Sequence, residues 1–136
     1  MSSPEQQTFT PKLVCVEPQL FVADLSRSCA FFTEKLGFKI IFTYGDPAFY
    51  GQVGRDGVRI NLRHVDFPVI AIEARQHDED LLAATILVTN LKSLYLEFQK
   101  KGVAFAQQLR KEPWGAHTFL VADPDGNLLC FSAQAE

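Results

Sequence analysis

The chain repeats itself, and that limits its folds more than any single motif does. Val22-Ala23-Asp24-Leu25 is matched by Val88-Thr89-Asn90-Leu91, each where an apolar, strand-like run gives way to helical spacing. The helix-ending glycines Gly37 and Gly102 correspond within one residue, and the turn glycines Gly57 and Gly126 correspond as well. Asn61 and Cys130 thereby become repeat mates, as do Glu17 and Ala83 on the strands before the helices. Each copy predicts β-α-β-β-β. One such unit has a one-sided sheet that its single helix cannot fully cover, so two units must share a core. The expected fold is α+β: two βαβββ modules forming a cupped mixed sheet with the helices outside.

Taken in order, residues 1–12 read as a flexible tail, 13–65 as the first module, 66–80 as a connector and 81–136 as the second module. Residues 13–136 would make a single structural domain. Residues 13–22 form an apolar run with Pro18 marking an edge or a bulge. Asp24 or Ser26 can cap a helix whose apolar stripe is Leu25, Cys29, Phe32 and Leu36, with Gly37 as its left-handed end. Phe38 to Thr43 and Phe49 to Val53 read as strands around the Gly45-Asp46-Pro47 turn, and Val58 to Val65 follows the Gly54–Gly57 turn. In the connector, Val69 to Ile72 can pack, and Asp78-Glu79-Asp80 reads as a solvated turn. The second module has a strand over 81–88 and an Asn90-capped helix with the stripe Leu91, Leu94, Tyr95 and Phe98. A strand over 103–107 and a polar loop from Leu109 to Glu112 lead to the closing hairpin. There Asp123-Pro124-Asp125-Gly126 joins Phe119–Ala122 to Leu128–Phe131.

Alternation then assigns faces. Ile60 and Leu62 must lie under the helix, which turns Arg59, Asn61 and Arg63 into the cup. By the same rule Glu17, Gln19 and Phe21 face inward, as do Ala83, Thr85 and Leu87, and Leu128, Cys130 and Ser132. A slip of one residue would invert any of these strands.

Composition narrows the partners. A net charge of −3 offers no basic stripe for nucleic acid, and no run approaches a membrane span. The start of the chain has no leader-like pattern, so the cytoplasm is the expected location. Three cysteines without Cys-x-x-Cys spacing argue against a disulfide framework or a zinc knuckle. Twelve phenylalanines suffice for an aromatic core and an aromatic-lined pocket.

Two stretches carry a family resemblance: Phe21 to Phe38 (FVADLSRSCAFFTEKLGF) and Pro113 to Phe131 (PWGAHTFLVADPDGNLLCF). With the repeat, the chain resembles the vicinal oxygen chelate superfamily over residues 13–133. That superfamily includes glyoxalase, extradiol dioxygenases, and the fosfomycin and bleomycin resistance proteins. The resemblance implies four metal-ligand positions, falling here on Glu17, Asn61, Ala83 and Cys130. Only Glu17 is a plausible ligand, and a Glu/Asn/Cys set without histidine suits none of the metals that the family uses. None of the three histidines offers a rescue. His64 ends its strand or points to the helix side, His77 sits in the connector, and His117 opens a strand. No metal and no cofactor are expected, and enzymatic activity is disfavoured.

The resemblance is nearest to the bleomycin resistance branch, in which two chains exchange modules and an antibiotic lies in the crevice between them. It implies a homodimer that sequesters an aromatic or antibiotic-like small molecule, such as a glycopeptide antibiotic, without transforming it. The alternatives are a lyase, isomerase or oxygenase with a non-standard metal site, and a metabolite-binding accessory module. The expected ligand-binding residues are Phe21, Phe49, Arg59, Asn61, Arg63, Trp114 and Cys130. Trp114 either stacks on a ligand or lids the core. Arg59 and Arg63 either pair with Glu17 at the cup mouth or clamp a carboxylate or phosphate. Cys130 reads as a packed thiol, since no base is placed to activate it; Asp123 and Asp125 read as turn formers.

Overall fold

A computed structural model describes residues 10–69 and 81–134. The elements run β1 (Gln19–Val22), α1 (Leu25–Ala30), β2 (Lys39–Gly45), β3 (Ala48–Arg55), β4 (Val58–His64), β5 (Leu82–Val88), α2 (Leu91–Lys100), β6 (Phe105–Lys111), β7 (His117–Ala122) and β8 (Leu128–Ala133). Helix α1 continues as one widened π turn, Phe31–Lys35. The order is β-α-β-β-β twice, in two four-stranded mixed sheets, β1-β4-β3-β2 and β5-β8-β7-β6. In each, the strand before the helix pairs in parallel with the last strand of its unit, and the other pairings are antiparallel. The α+β reading of the sequence holds.

The apolar stripes do what their spacing demands. Leu25, Cys29, Phe32 and Leu36 are buried, and Asp24 caps α1 by accepting from the Arg27 amide at 3.0 Å. Gly37 and Gly102 both end their helices at positive φ, +73° and +74°. Leu20, Val22, Ile60 and Leu62 from the first sheet share one apolar cluster with Ile86, Phe119, Leu129 and Phe131 from the second. Within it Phe119 and Phe131, opposite each other on β7 and β8, stack at 5.1 Å, and Phe98 from α2 meets both rings edge-on. The β7–β8 turn ties the two units together. Asp125 accepts from the Ala23 amide at 2.9 Å and from Arg27 at 3.4 Å, while Asn127 donates to the Phe21 carbonyl at 3.2 Å.

Four local expectations need correction. The strand expected from residue 13 begins only at Gln19, because Pro18 has no N–H to give the ladder, although its carbonyl still accepts from the Asn61 amide at 2.9 Å. In this register β4 begins at Val58, opposite Val16, so residues 13–15 run beyond it, and Leu13, Val14, Cys15 and Val16 are exposed instead of buried. Gly54 and Arg55 belong to β3, leaving a tighter turn. The expected polar loop at Leu109–Glu112 is strand as far as Lys111, with register shifts between Phe105 and Arg110 that absorb its irregular pattern. Asn90 holds the cap position of α2 but adopts φ +59°, and its side chain accepts from the Ser93 hydroxyl at 2.9 Å instead of from a backbone amide. The tail as far as residue 9, and Ile70 to Asp80 of the connector with His77 and the acidic triplet, lie outside the described residues.

Candidate functional site

Each sheet has one face under its helix and one turned away; the second is the inner face. The strand registers resolve both inner faces into cross-strand rows. On the first sheet Gln19, Asn61, Gln52 and Phe42 form one row, and Phe21, Arg63, Tyr50 and Tyr44 the next. On the second, the repeat-equivalent rows are Thr85, Cys130, Leu120 and Gln107, then Leu87, Ser132, Thr118 and Arg110.

The first row of each sheet contains one of the four positions that the family resemblance marks for metal, Asn61 on one and Cys130 on the other. Directly beside Asn61 and Cys130 stand Gln19 and Thr85, two residues beyond Glu17 and Ala83. Gln52 occupies the middle of the polar cluster. Its amide nitrogen donates to Asn61 at 2.9 Å and to Glu17 at 3.2 Å, so a neutral side chain uses the oxygens that an ion would need. On the other sheet, burial pushes the Cys130 thiol above its ordinary range; a hydrogen bond with Thr85 opposes this and the Glu112 charge adds to it. A protonated thiol, two neutral amides, a hydroxyl and one carboxylate are a poor donor set for a borderline divalent ion such as zinc. Among the described residues no cluster of three or more His, Cys, Asp or Glu side chains is placed to hold a metal. His64 ends β4 and pairs with Asp66 at 2.9 Å, and His117 opens β7 on the surface.

The remaining candidates fall into two groups on different sheets. Phe21 and Arg63 are direct register partners, and the Arg63 guanidinium lies 5.5 Å from the Phe49 ring centre. Arg59 lies flat over Gly54 and donates to the Asp56 and Val58 carbonyls at 3.0 and 2.9 Å. Neither arginine forms an ion pair with Glu17 among the described residues, so the charge-paired mouth is not formed. Trp114 is 76% exposed at the tip of the loop before β7, which removes the core-lid reading. No hydrogen bond or ring contact among the described residues joins Trp114 or Cys130 to the first-sheet group within one chain.

Two features were not anticipated from sequence. Gln52 stood in a strand without an assigned role, although alternation opposite Asn61 would have placed it. Glu112, assigned to a loop, is a buried carboxylate taking hydrogen bonds from Thr118 at 2.8 Å and Arg110 at 2.9 Å. Those donors, Arg110 foremost, hold it below the usual carboxylate range.

Known proteins share this architecture. UcmS2 superposes with a TM-score of 0.67 at 26% identity, covering 90% of this chain and 98% of its own. The bleomycin-binding protein of bleomycin-producing Streptomyces verticillus, complexed with copper(II)-bleomycin, gives 0.72 at 21% identity, covering 93% and 100%. A glyoxalase-related enzyme from Clostridium phytofermentans gives 0.71 at 18% identity, covering 93% and 99%. No curated protein matches the chain by sequence. The profile of the Glyoxalase/Bleomycin resistance protein/Dioxygenase superfamily matches residues 13–131, and with both repeats, both helices and the closing hairpin inside that span, the chain belongs to this superfamily.

Proposed function

We propose that the protein is a metal-free small-molecule-binding member of its superfamily, a cytoplasmic homodimer that sequesters a flat-ringed or antibiotic-like ligand. The observation that carries this reading is the Glu17–Gln52–Asn61 cluster, in which an amide satisfies the acceptors at the family's metal row. Glu17 is the one carboxylate there and no imidazole joins it, while Cys130 is a protonated thiol at its equivalent place. The alternative of an enzyme with a displaced metal site has no donor cluster to support it among the described residues.

The dimer, with modules exchanged between chains, draws support from what one chain leaves uncovered. Tyr44, Leu87 and Trp114 are 66, 65 and 76% exposed, and all lie on or beside the inner faces. Apolar area of this kind calls for a partner surface or a ligand. A first sheet from one chain facing a second sheet from its partner would unite Phe21, Phe49, Arg59, Asn61 and Arg63 with Trp114 and Cys130 in one pocket. Bleomycin-binding proteins among the similar folds make drug sequestration the first version to test.

Three measurements test the reading. Sedimentation should give a dimer, and metal analysis of purified protein should find no stoichiometric divalent ion. Calorimetric titration with bleomycin-type glycopeptides and smaller planar drugs should find binding, accompanied by resistance in a sensitive host. No heat of binding at high micromolar ligand would remove the drug assignment, and a stoichiometric bound ion would replace it with the enzyme reading.

A further inference from the structure

On the first sheet's inner face two arginines have no ion-pair partner among the described residues. Arg63 is exposed at the centre of the row Phe21–Arg63–Tyr50–Tyr44 and packs beside Phe49, but no carboxylate among the described residues reaches it. Arg59, on the same face, spends one nitrogen on two backbone carbonyls and likewise has no carboxylate partner. The nearby acid, Glu17, accepts from Gln52. On the second sheet's inner face, Glu112 is already engaged by Arg110, Thr118 and Gln107.

A guanidinium among aromatic rings keeps its forked N–H groups available to an acceptor in the plane of the fork. A carboxylate supplies two parallel acceptor oxygens, a neutral ring supplies none, and a cation would be repelled by the guanidinium. The neighbouring aromatic side chains offer flat faces for a ring system attached to that carboxylate.

Resting on the ligand-binding reading above, we propose that this face selects planar aromatic carboxylates. The acid lies on the Arg63 fork, and the ring lies along Phe21 and Tyr50.

Three probes of one shape separate the possibilities: 2-naphthoate, 2-naphthamide and 2-naphthylmethylammonium, titrated at pH 7 by calorimetry. Naphthoate should bind about tenfold or more tighter than the amide, the worth of one charge-assisted contact, and the ammonium weakest of all. Arg63→Met, which keeps the apolar stem, should bring naphthoate down to the affinity of the amide measured on the same variant. Arg63→Lys should restore part of the preference. Equal binding of acid and amide by the unmodified protein would overturn the proposal without any variant, as would a preference that survives in R63M. Ring binding without regard to charge would remove the carboxylate assignment alone. Failure of all three probes to bind would remove it together with the ligand-binding reading.

Discussion

Arg55 and Glu97 meet as a two-pronged ion pair, joining the end of β3 to the middle of α2 with N–O distances of 2.7 and 3.1 Å. Arg55 also donates to the Leu36 carbonyl at 2.9 Å, so one side chain ties the C-terminal helix end of the first repeat to the helix of the second. Gly37 leaves the room: a Cβ there would stand 2.8 Å from the Arg55 guanidinium.

Both partners are about a third exposed, so Glu97→Gln should cost only about 0.5–1 kcal/mol in urea unfolding at pH 7. The hydrogen bond from Arg55 holds the Glu97 carboxyl below its ordinary range. A depressed folded value means that the stabilisation is present above the unfolded value of about 4.3 and is lost as pH falls through the folded one. Parent and E97Q stabilities should therefore converge below about pH 4; a gap that persists there would assign the effect to packing.

Asp123 holds the β7–β8 turn from inside. It accepts from the amides of Asn127 at 2.7 Å and Asp125 at 3.0 Å, and from the Asn127 side chain at 2.9 Å. Asp123→Ala would strand these donors and should cost about 2–4 kcal/mol. A loss under about 1 kcal/mol would show that water replaces the carboxylate. Burial pushes the Asp123 carboxyl up, so its sign opposes that of Glu97. Its contribution is fullest below the unfolded value of about 3.9 and declines as pH rises through the folded one.

The cysteines should react unequally. Cys15 is exposed, whereas Cys29 and Cys130 are buried and burial raises both thiols. Brief alkylation at pH 7.5 followed by intact mass should show one rapid addition, at Cys15, and the other two only after denaturation. Rapid labelling of Cys130 would reopen its reading as a nucleophile.

Trp114→Phe should change stability by less than about 0.5 kcal/mol, because the indole stands clear of the core. If Trp114 stacks on ligand, a planar drug should quench the indole fluorescence of the parent protein, and the variant should bind that drug several-fold more weakly. Unchanged affinity would take Trp114 out of the pocket.

The fold was legible because repetition and alternation are redundant signals. Leu25, Cys29, Phe32 and Leu36 needed one apolar face, and Ile60 and Leu62 placed Arg59, Asn61 and Arg63 on the other. What periodicity could not supply was the environment of individual polar groups. Glu112 looked like a loop residue because nothing in its neighbours announces that Thr118 and Arg110 will enclose it. Residues 13–15 looked like strand because propensity is local, while the start of their partner strand at Val58, opposite Val16, is not. The Glu17–Gln52–Asn61 cluster joins β3, β4 and the segment before β1, and only the register reveals it.

Gly54 has an influence out of proportion to its size. The volume that its side chain would occupy is filled by Arg59, whose Nη1 and Cδ would come within 2.5 and 2.9 Å of a methyl group there. Adding that methyl would evict the guanidinium from its carbonyl acceptors and lift it off the sheet. The smallest possible substitution at a position without charge would thus act as a dial for the electrostatics of the whole inner face. A lineage could retune which ligands it prefers without altering a single ionisable residue.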